Sequence, residues 1–468
     1  MPTSDARSTR PWRRFFAALA ITLLAVVAAD VALCLLLEPY AGSTELMWSE
    51  YRAAADADID TVFVGSSATG YGLSPQTFDE TLGSTSFNMG TPGQALHESL
   101  VSVKSASADH DLDRVVIVVG LETILEFPYI NSSVVYTQAK CAGEGPLEAT
   151  TDILNLVTYD YYFSRLYSLS CAFPWTYDHV ELTWDAIGKN VERRIKYKDV
   201  TEAARLYAEA SGDEGWGYWG QGYDGYTTVY PTEHVHGTRF TSHHREDPVI
   251  DDTLQALDEL CTWCEEAGIR LYVVGAPYIP SAILEYGDAY WTGMAKIQET
   301  AERHGACYFD LNMCRRDVYD PARSEFYNQV HLNHEGAEKA GRVVASLIGR
   351  VEHGEDISDV WHPHTAEGYA AWLAELAHVD SVDYDSAVDG DSAVVDAHAR
   401  TGSATEALFR FEVADETGTQ WRCVRDWNTD PHLTMPMEGK GDCQIRISAR
   451  AATDSEDNAC SVVGYLTH

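Results

Sequence analysis

Two adjacent serines, Ser66 and Ser67, are the residues of this sequence best placed to act as a nucleophile. They follow Gly65 and a run, residues 61–64, of β-branched and aromatic residues that predicts a buried strand. Helix signals begin soon after, at Ser74-Pro75. A serine between a central strand and a helix stands at the carboxyl edge of the sheet, where open α/β folds place their chemistry. The alternative is that both serines only form a turn and cap a helix.

A serine hydroxyl needs a base, and His331 is the best candidate in the chain. It follows the last predicted strand and precedes the last core helix, which puts it at the same edge of the sheet. Asn328, three residues earlier, carries an amide oxygen that could hold one tautomer of the imidazole. Asp310 and Glu325 are carboxylates that could take this role instead. A serine paired with a histidine points to acyl transfer.

Other histidines could also carry chemistry. Four of them lie among acidic residues within the range 233–247, namely His234, His236, His243 and His244. That spacing could form a metal site, but a His-rich loop on an acidic chain is more typical of a solvated surface, and we expect no metal and no other cofactor. His97 lies on a predicted helix over residues 93–110, where it either lines the cleft or is structural.

The elements that must position these residues follow a β-α-β-α-β order over residues 60–120, and this order resumes at residue 250. Short connections in this order predict an α/β fold with a parallel sheet covered by helices. Residues 121–249 lack the pattern and are predicted to be an insertion. Within it, residues 215–230 are rich in Gly, Trp and Tyr, which either stack on sugar rings or pack the insertion onto the core.

The amino-terminal stretch from Phe15 to Leu37 contains one charged residue, Asp30, and is long enough to span a bilayer. Arginines precede the stretch and glutamates follow it, so the positive-inside rule puts the rest of the chain outside the cytoplasm. We therefore predict a membrane anchor within residues 1–40, with a cleaved signal peptide as the alternative.

The carboxyl-terminal part of the chain has a different composition. An Asp- and Ser-rich stretch predicts a linker over residues 359–404, and alternating apolar and polar residues after it predict a small β-sandwich over 405–468. The spacing of its aromatic residues and cysteine resembles that of the immunoglobulin-like modules appended to bacterial cell-surface enzymes. This leaves residues 41–358 for the α/β domain. Such a module is more often a spacer or a wall binder than a catalyst.

The net charge and the cysteine content indicate which partners and which cross-links to expect. Lys and Arg total 33 against 72 Asp and Glu, a net charge of −39, which excludes nucleic acid as an expected partner because phosphates would be repelled. Nine of the ten cysteines follow the predicted anchor. An extracytoplasmic location favours structural disulfides among them, with free thiols and a metal knuckle as alternatives.

Three blocks, Gly65-Ser66-Ser67, Asn88-x-Gly90 and Asn328-x-x-His331-Leu-Asn-x-x-Gly336, together resemble the SGNH/GDSL hydrolase superfamily. They resemble in particular its membrane-anchored branch, near the protein that works in D-alanylation of teichoic acid and the alginate O-acetylation proteins. The resemblance covers residues 59–120 and 268–350, and it implies a flavodoxin-like three-layer domain.

The resemblance also implies roles for single residues. Ser67 falls on the nucleophile, His331 on the base, and the backbone N–H groups of Gly90 and Ser67 on oxyanion donors. Asn328 stands where the family has the orienting Asp. The remaining matched or neighbouring positions are expected to line the site: Ser66, Asn88, Glu122 and His97.

The function expected from this resemblance is extracytoplasmic O-acyl transfer or ester hydrolysis on a cell-envelope polysaccharide or teichoic-acid-like polymer. A membrane acyl-donor protein is the expected partner. The alternative is a weak or inactive scaffold that binds an envelope glycan or a partner protein, because Asn328 and Glu122 depart from the family's residues.

Overall fold

The computed structural model of the chain describes residues 10–37, 43–120, 134, 138, 141–142, 182–196, 202, 204–205, 214–237, 251–415, 418–437 and 442–467. The chain divides into two compact units. One comprises residues 1–53 and 130–212, and the other comprises residues 54–129 and 213–468. The candidate site and the carboxyl-terminal strands both belong to the second unit.

A five-stranded parallel sheet is the centre of the second unit, and it confirms the predicted α/β fold. Its strands are β1 (Thr61–Gly65), β2 (Ser86–Asn88), β3 (Arg114–Val119), β7 (Arg270–Gly275) and β8 (Cys307–Asp310). They lie in the order β2-β1-β3-β7-β8, and every neighbouring pair is parallel. The central strands are buried on both faces, which explains their continuous apolar runs.

Helices cover both faces of this sheet. In the second unit the described helices are α3 (Ser67–Gly70), α4 (Pro75–Leu82), α5 (Leu96–Asp109), α7 (Asp251–Ala267), α8 (Pro280–Tyr286), α9 (Asp288–Arg303), α10 (His334–Glu352) and α11 (Ala366–Ala374). The described helices of the first unit are α1 (Arg10–Leu37), α2 (Ser43–Ala53) and α6 (Trp184–Lys196). Helix α4 packs against α10, and α7 packs against α5 and α9. The result is a three-layer arrangement in which the strands' carboxyl ends share one edge.

Two short hairpins lie outside the main sheet. One consists of β4 (Trp216–Gly220) and β5 (Tyr223–Tyr226), which fall in the Gly-, Trp- and Tyr-rich stretch. The other consists of β9 (Phe326–Asn328) and β10 (His331–Leu332), which pair Asn328 with His331. The second hairpin therefore brings together the two residues that the sequence predicts as base and orienting group.

The carboxyl-terminal strands form two antiparallel sheets around a separate apolar core. The strands are β11 (Ser381–Asp389), β12 (Ser392–Arg400), β13 (Ala407–Ala414), β14 (Arg422–Asn428), β15 (His432–Pro436), β16 (Cys443–Ala451) and β17 (Cys460–Leu466). One sheet has the order β11-β12-β15 and the other β14-β13-β16-β17, with β6 (Glu233–Val235) added in parallel to β17. Strands β11 and β12 occupy the range that we predicted as linker.

The acidic composition of β11 accounts for this difference from the predicted linker. Val382 and Tyr384 are buried, whereas Asp383 and Asp385 between and after them are exposed. The strand thus has the usual alternation of buried and exposed residues, but its outward face is acidic enough to resemble a linker in composition.

The amino-terminal helix α1 is the one helix among the described residues that is long and apolar enough to cross a membrane. Its window Trp12–Ala29 has a mean hydropathy of 1.7, and its side chains are exposed. The eight cysteines whose side chains are described, all of which follow this helix, are free thiols, so the expected disulfides are not formed among them.

Candidate active site

The serine turn joins β1 to the short helix α3. Gly65 has a φ of +135°, and a Cβ on this residue would lie 2.3 Å from Thr69 Oγ1, so only glycine fits there. Ser66 is the N-cap of α3, and its hydroxyl accepts a hydrogen bond from the Ala68 N–H at 3.4 Å. Ser67 is the first helical residue and is only partly buried. The turn thus assigns capping to one serine and leaves the hydroxyl of the other for a different partner.

That partner is His331. The distance between Ser67 Oγ and His331 Nε2 is 2.7 Å, although the residues are 264 positions apart in the sequence. The parallel sheet places Ser67 beyond the carboxyl end of β1, and the hairpin β9–β10 brings His331 to it. A hydroxyl within hydrogen-bond reach of an imidazole is the geometry that a serine nucleophile and its base require.

Asn328 fixes the tautomer of this imidazole. Its Oδ1 accepts hydrogen bonds from the backbone N–H groups of Val330 at 3.0 Å and His331 at 2.9 Å. Since an amide NH₂ cannot accept from an N–H, these two contacts settle which side-chain atom is the oxygen. The same oxygen lies 3.1 Å from His331 Nδ1, which must therefore carry a proton. His331 Nε2 is left with a lone pair toward the hydroxyl of Ser67.

The carboxylates that the sequence offered as substitutes for Asn328 have other partners. Both oxygens of Glu325 lie 3.0 Å from Lys339 Nζ. Asp310 accepts hydrogen bonds from Tyr290, His364 and the backbone of Asn312. The imidazole thus gains orientation from a neutral amide, without the negative charge that an aspartate would add.

Asn88 and Gly90 brace the serine turn from the neighbouring strand β2. The Asn88 amide nitrogen donates to the carbonyls of Thr69 at 3.0 Å and Leu73 at 3.1 Å. Its oxygen accepts from the Gly90 N–H at 2.9 Å. A Cβ on Gly90 would lie 2.6 Å from Thr69 Cβ, so glycine is needed for close packing. Gly90 therefore lies beside the turn, with its N–H directed to Asn88.

Two further predicted site residues are His97 and Glu122. His97 lies in the first turn of α5, where its side chain is buried. Glu122 lies outside the residues that the structure describes. Of the predicted set, the structure thus brings together Ser66, Ser67, Asn88, Gly90, Asn328 and His331.

An aromatic wall that the sequence did not identify as part of the site lies beside His331. Tyr71 packs edge-on to the imidazole, with ring centroids 5.8 Å apart, and edge-on to Tyr226 at 5.4 Å. Tyr226 in turn stacks on Tyr327 at 3.9 Å. Tyr71 lies four residues after Ser67, and Tyr327 lies next to Asn328. This proximity in the sequence is the signal that could have identified them as residues of the site.

The Gly-, Trp- and Tyr-rich stretch mainly packs against the second unit's own core. Tyr223 and Tyr226 are buried, and Trp219 stacks on His334 with centroids 4.0 Å apart. Burial raises the pKa of Asp224 in β5 to about 7, although a hydrogen bond from Trp216 opposes this shift. Burial also lowers the pKa of His334. The packing alternative of the sequence prediction therefore describes most of this hairpin.

Of the four histidines that the sequence offers as a possible metal site, two lie in the described part of the chain. His234 and His236 lie in and just after β6, next to β17, and burial lowers the pKa of His234 to about 4. His236 Nδ1 lies 2.6 Å from Asp383 Oδ1. His243 and His244 lie outside the described residues. Among the residues that are described, no group of three or more His, Cys, Asp or Glu side chains is arranged to hold a metal ion.

Solved structures with some likeness to this chain include two from Bacteroides species. An inferred acylhydrolase from Bacteroides fragilis has a TM-score of 0.28 and 10% identity, covering 65% of this chain and 98% of that chain. A GDSL-like lipase from Bacteroides thetaiotaomicron has a TM-score of 0.27 and 10% identity, covering 65% and 99%. Likenesses this slight carry no argument about activity. No family model and no curated protein matches the sequence.

Proposed function

We propose that the chain is an SGNH-type serine enzyme that transfers or hydrolyses acyl groups. The observation that carries this proposal is the 2.7 Å distance between Ser67 Oγ and His331 Nε2, with the tautomer of His331 set by Asn328. This geometry supplies both a nucleophile and an oriented base, which a purely structural serine turn does not need.

The proposed reaction has two halves. Ser67 Oγ attacks the acyl carbonyl while His331 Nε2 takes its proton, and His331 then protonates the departing alcohol, leaving an acyl-serine. In the second half His331 deprotonates water or a polymer hydroxyl, which attacks the acyl-serine and restores Ser67. Water as acceptor makes the enzyme an esterase, and a hydroxyl of the polymer makes it an O-acyltransferase.

The tetrahedral intermediates need donors for their oxyanion. We assign this role to the backbone N–H groups of Ser67 and Gly90, each of which would stabilise the intermediate by roughly 3 kcal/mol. The Gly90 N–H donates to Asn88 Oδ1 in the present structure. Its participation therefore requires that hydrogen bond to be shared with, or released to, the oxyanion.

The proposed location and substrate follow from the amino-terminal helix. We propose that residues 15–37 of α1 anchor the chain in the cell membrane, with the bulk of the chain on the extracytoplasmic side. A cell-envelope polysaccharide or teichoic-acid-like polymer would be accessible there, and a membrane acyl-donor protein would supply the acyl group. The net charge of −39 makes nucleic acid an unsuitable partner.

A second candidate function is a catalytically weak or inactive scaffold that binds envelope glycan or a partner protein. Two observations favour it: His331 has a neutral orienting group at Nδ1, and the Gly90 N–H already has an acceptor. Hydrolysis of p-nitrophenyl acetate separates the two functions. We expect turnover that is lost in Ser67→Ala and kept in the matched variant Ser66→Ala. Absence of turnover in the unchanged protein would favour the scaffold.

A further inference from the structure

A second cleft lies at the outer edge of the parallel sheet, away from Ser67. It has a volume of about 780 Å³ and is lined by α9, strand β8 and the segment 357–364. Strand β8 is three positions from β1 in the sheet, so at ~4.8 Å per step the two strands are ~14 Å apart. The cleft is therefore separate from the Ser67–His331 site, and its volume is within the usual range of small-ligand sites.

The polar wall of this cleft contains His364, whose orientation is fixed by a buried carboxylate. His364 Nε2 donates to Asp310 Oδ2 at 2.8 Å, and Asp310 is 1% exposed. The other partners of Asp310 are the Tyr290 hydroxyl and the backbone of Asn312. Because Nε2 is occupied in this way, Nδ1 is the ring nitrogen of His364 that remains for a ligand.

Another polar group in the cleft lacks a partner within the described part of the chain. The hydroxyl of Tyr308 is buried without a hydrogen bond, and its ring lies 5.6 Å from that of His364. A buried hydroxyl without a partner costs on the order of 1–3 kcal/mol. Gln298 and Glu302, which hydrogen-bond to each other at 2.7 Å, add an amide and a carboxylate to the lining.

The apolar wall is the indole of Trp361, which is held rigidly. Its ring is nearly parallel to Phe309 in β8, with an interplanar angle of 12° and centroids 5.8 Å apart. Backbone hydrogen bonds on both sides fix the segment, from Arg315 N to Val360 O at 2.8 Å and from His362 N to Met313 O at 2.7 Å. A fixed, half-buried indole provides a flat surface without a further loss of side-chain entropy on binding.

The lining selects among ligand classes. None of the described residues that line the cleft is a Lys or Arg, so a phosphate or carboxylate ligand would have no strong counter-charge. The acidic side chains in the lining are Glu302, which hydrogen-bonds to Gln298, and Asp310, whose partners are Tyr290, His364 and the backbone of Asn312. Mixed donors and acceptors around an aromatic surface suit a neutral polyhydroxy ligand, whose hydroxyls both donate and accept while its C–H face packs on the indole.

We propose that this cleft is a secondary carbohydrate-binding site that holds one or two sugar units. The proposal rests on the proposed function only for the identity of the sugar, which would belong to the polymer that is acylated at Ser67. Of the two proposed polymers, the cleft suits a neutral polysaccharide and not a teichoic-acid-like polymer, whose repeats carry phosphate. A chain bound at the edge of β8 would remain tethered while its neighbouring units reach the serine, which raises their effective concentration there.

The test is calorimetric titration of the full-length protein, in the Ser67→Ala background, with three neutral trisaccharides: cellotriose, maltotriose and N-acetylchitotriose. We expect at least one to bind with a Kd of about 1 mM or tighter. Trp361→Ala should weaken this binding at least tenfold. Because that change could disturb packing, Ser358→Trp provides a second variant, in which an exposed lining residue is enlarged to fill the cleft.

The matched control is Asp359→Trp, which adds the same side chain at the neighbouring exposed position outside the cleft and should leave sugar binding unchanged. The proposal is overturned if none of the three sugars binds, or if binding survives both Trp361→Ala and Ser358→Trp. The titrations measure sugar binding in a protein that lacks the Ser67 hydroxyl. Absence of p-nitrophenyl acetate turnover would therefore contradict the proposed function but would leave the test of the sugar-binding site unaffected.

Discussion

At the scale of single residues, Asn328 determines what kind of base His331 can be. Its oxygen accepts from two backbone N–H groups and from His331 Nδ1, so it orients the ring without contributing charge. In serine proteases, replacement of the orienting Asp by Asn reduces the rate largely through the wrong tautomer. The backbone contacts of Asn328 keep its oxygen toward His331 and so prevent the wrong tautomer here. What Asn328 lacks, compared with an aspartate, is a negative charge to stabilise the imidazolium.

Replacing Asn328 with Asp should therefore increase activity. The carboxylate can accept from the same three N–H groups and adds a negative charge beside the imidazolium, so we expect kcat/KM for p-nitrophenyl acetate to rise about tenfold. Asn328→Ala removes the orienting group and should lower kcat/KM by ~10²-fold or more. A slower Asn328→Asp enzyme would contradict the assignment of orientation without charge to Asn328.

Asp224 gives a prediction about pH at the same scale. Burial raises its pKa from 3.8 to about 7. Between about pH 4 and 7, Asp224 is ionised in the unfolded chain but still protonated in the folded protein. The free energy of unfolding therefore falls as the pH rises through this range, by roughly 4 kcal/mol in total. Asp224→Asn stays neutral and should raise the thermal midpoint relative to the parent at pH 8 much more than at pH 5. Equal differences at both pH values would refute the assignment, and exposed Asp359→Asn serves as control.

At the scale of elements, a bridging segment, residues 227–236, connects the hairpin β9–β10, which carries Asn328 and His331, with the carboxyl-terminal sheets. Its Tyr230 N–H donates to Phe326 O at 2.6 Å, directly beside β9. Further along, β6 pairs in parallel with β17. The strands that the sequence assigned to separate modules are therefore joined by backbone hydrogen bonds within one unit.

Arg323 holds this junction together. Its guanidinium is buried, donates to the carbonyls of Asp380 and of Pro231, and lies over the ring of Tyr230. Arg323→Met should lower stability by ~2–4 kcal/mol, because carbonyls are left without donors, and should reduce kcat for p-nitrophenyl acetate more than it changes KM. Arg323→Lys should recover part of both.

The control for Arg323 is Arg342→Met, since Arg342 is half exposed on α10 and its one ion pair among the described residues is a distant one, 3.9 Å from Glu338. It should change stability by about 0.5 kcal/mol or less. If both arginine variants affect kcat equally, the junction does not position the hairpin.

The elements also show how far sequence reasoning extends. Strands β1, β3, β7 and β8 were predictable because each is a local apolar run, and the carboxyl-edge rule then selected Ser67 and His331. The pairing of β6 with β17 was not predictable, because it joins residues more than 220 positions apart and no local period encodes it. Tyr71 and Tyr327 are near Ser67 and Asn328 in the sequence, but their contacts with Tyr226 form only on folding, so the aromatic wall was not predicted.

At the scale of the whole molecule, the net charge and the amino-terminal helix bear on the proposed location of the chain. Helix α1 exposes an apolar surface on a chain of net charge −39. We expect the full-length protein to sediment with membranes and to be released by detergent but not by salt. A chain that begins after residue 37 should remain in the soluble fraction. Release of the full-length protein by salt alone would contradict anchoring through α1.

The central claim is that Ser67 is a nucleophile activated by His331, and covalent labelling tests it most directly. A fluorophosphonate probe reacts with activated serines, and peptide mapping identifies the one modified. We predict a single adduct on the peptide that contains Ser67, retained in Ser66→Ala, lost in Ser67→Ala and at least 100-fold slower in His331→Ala. An unchanged protein that takes up no probe, or an adduct that persists in Ser67→Ala, would contradict the account.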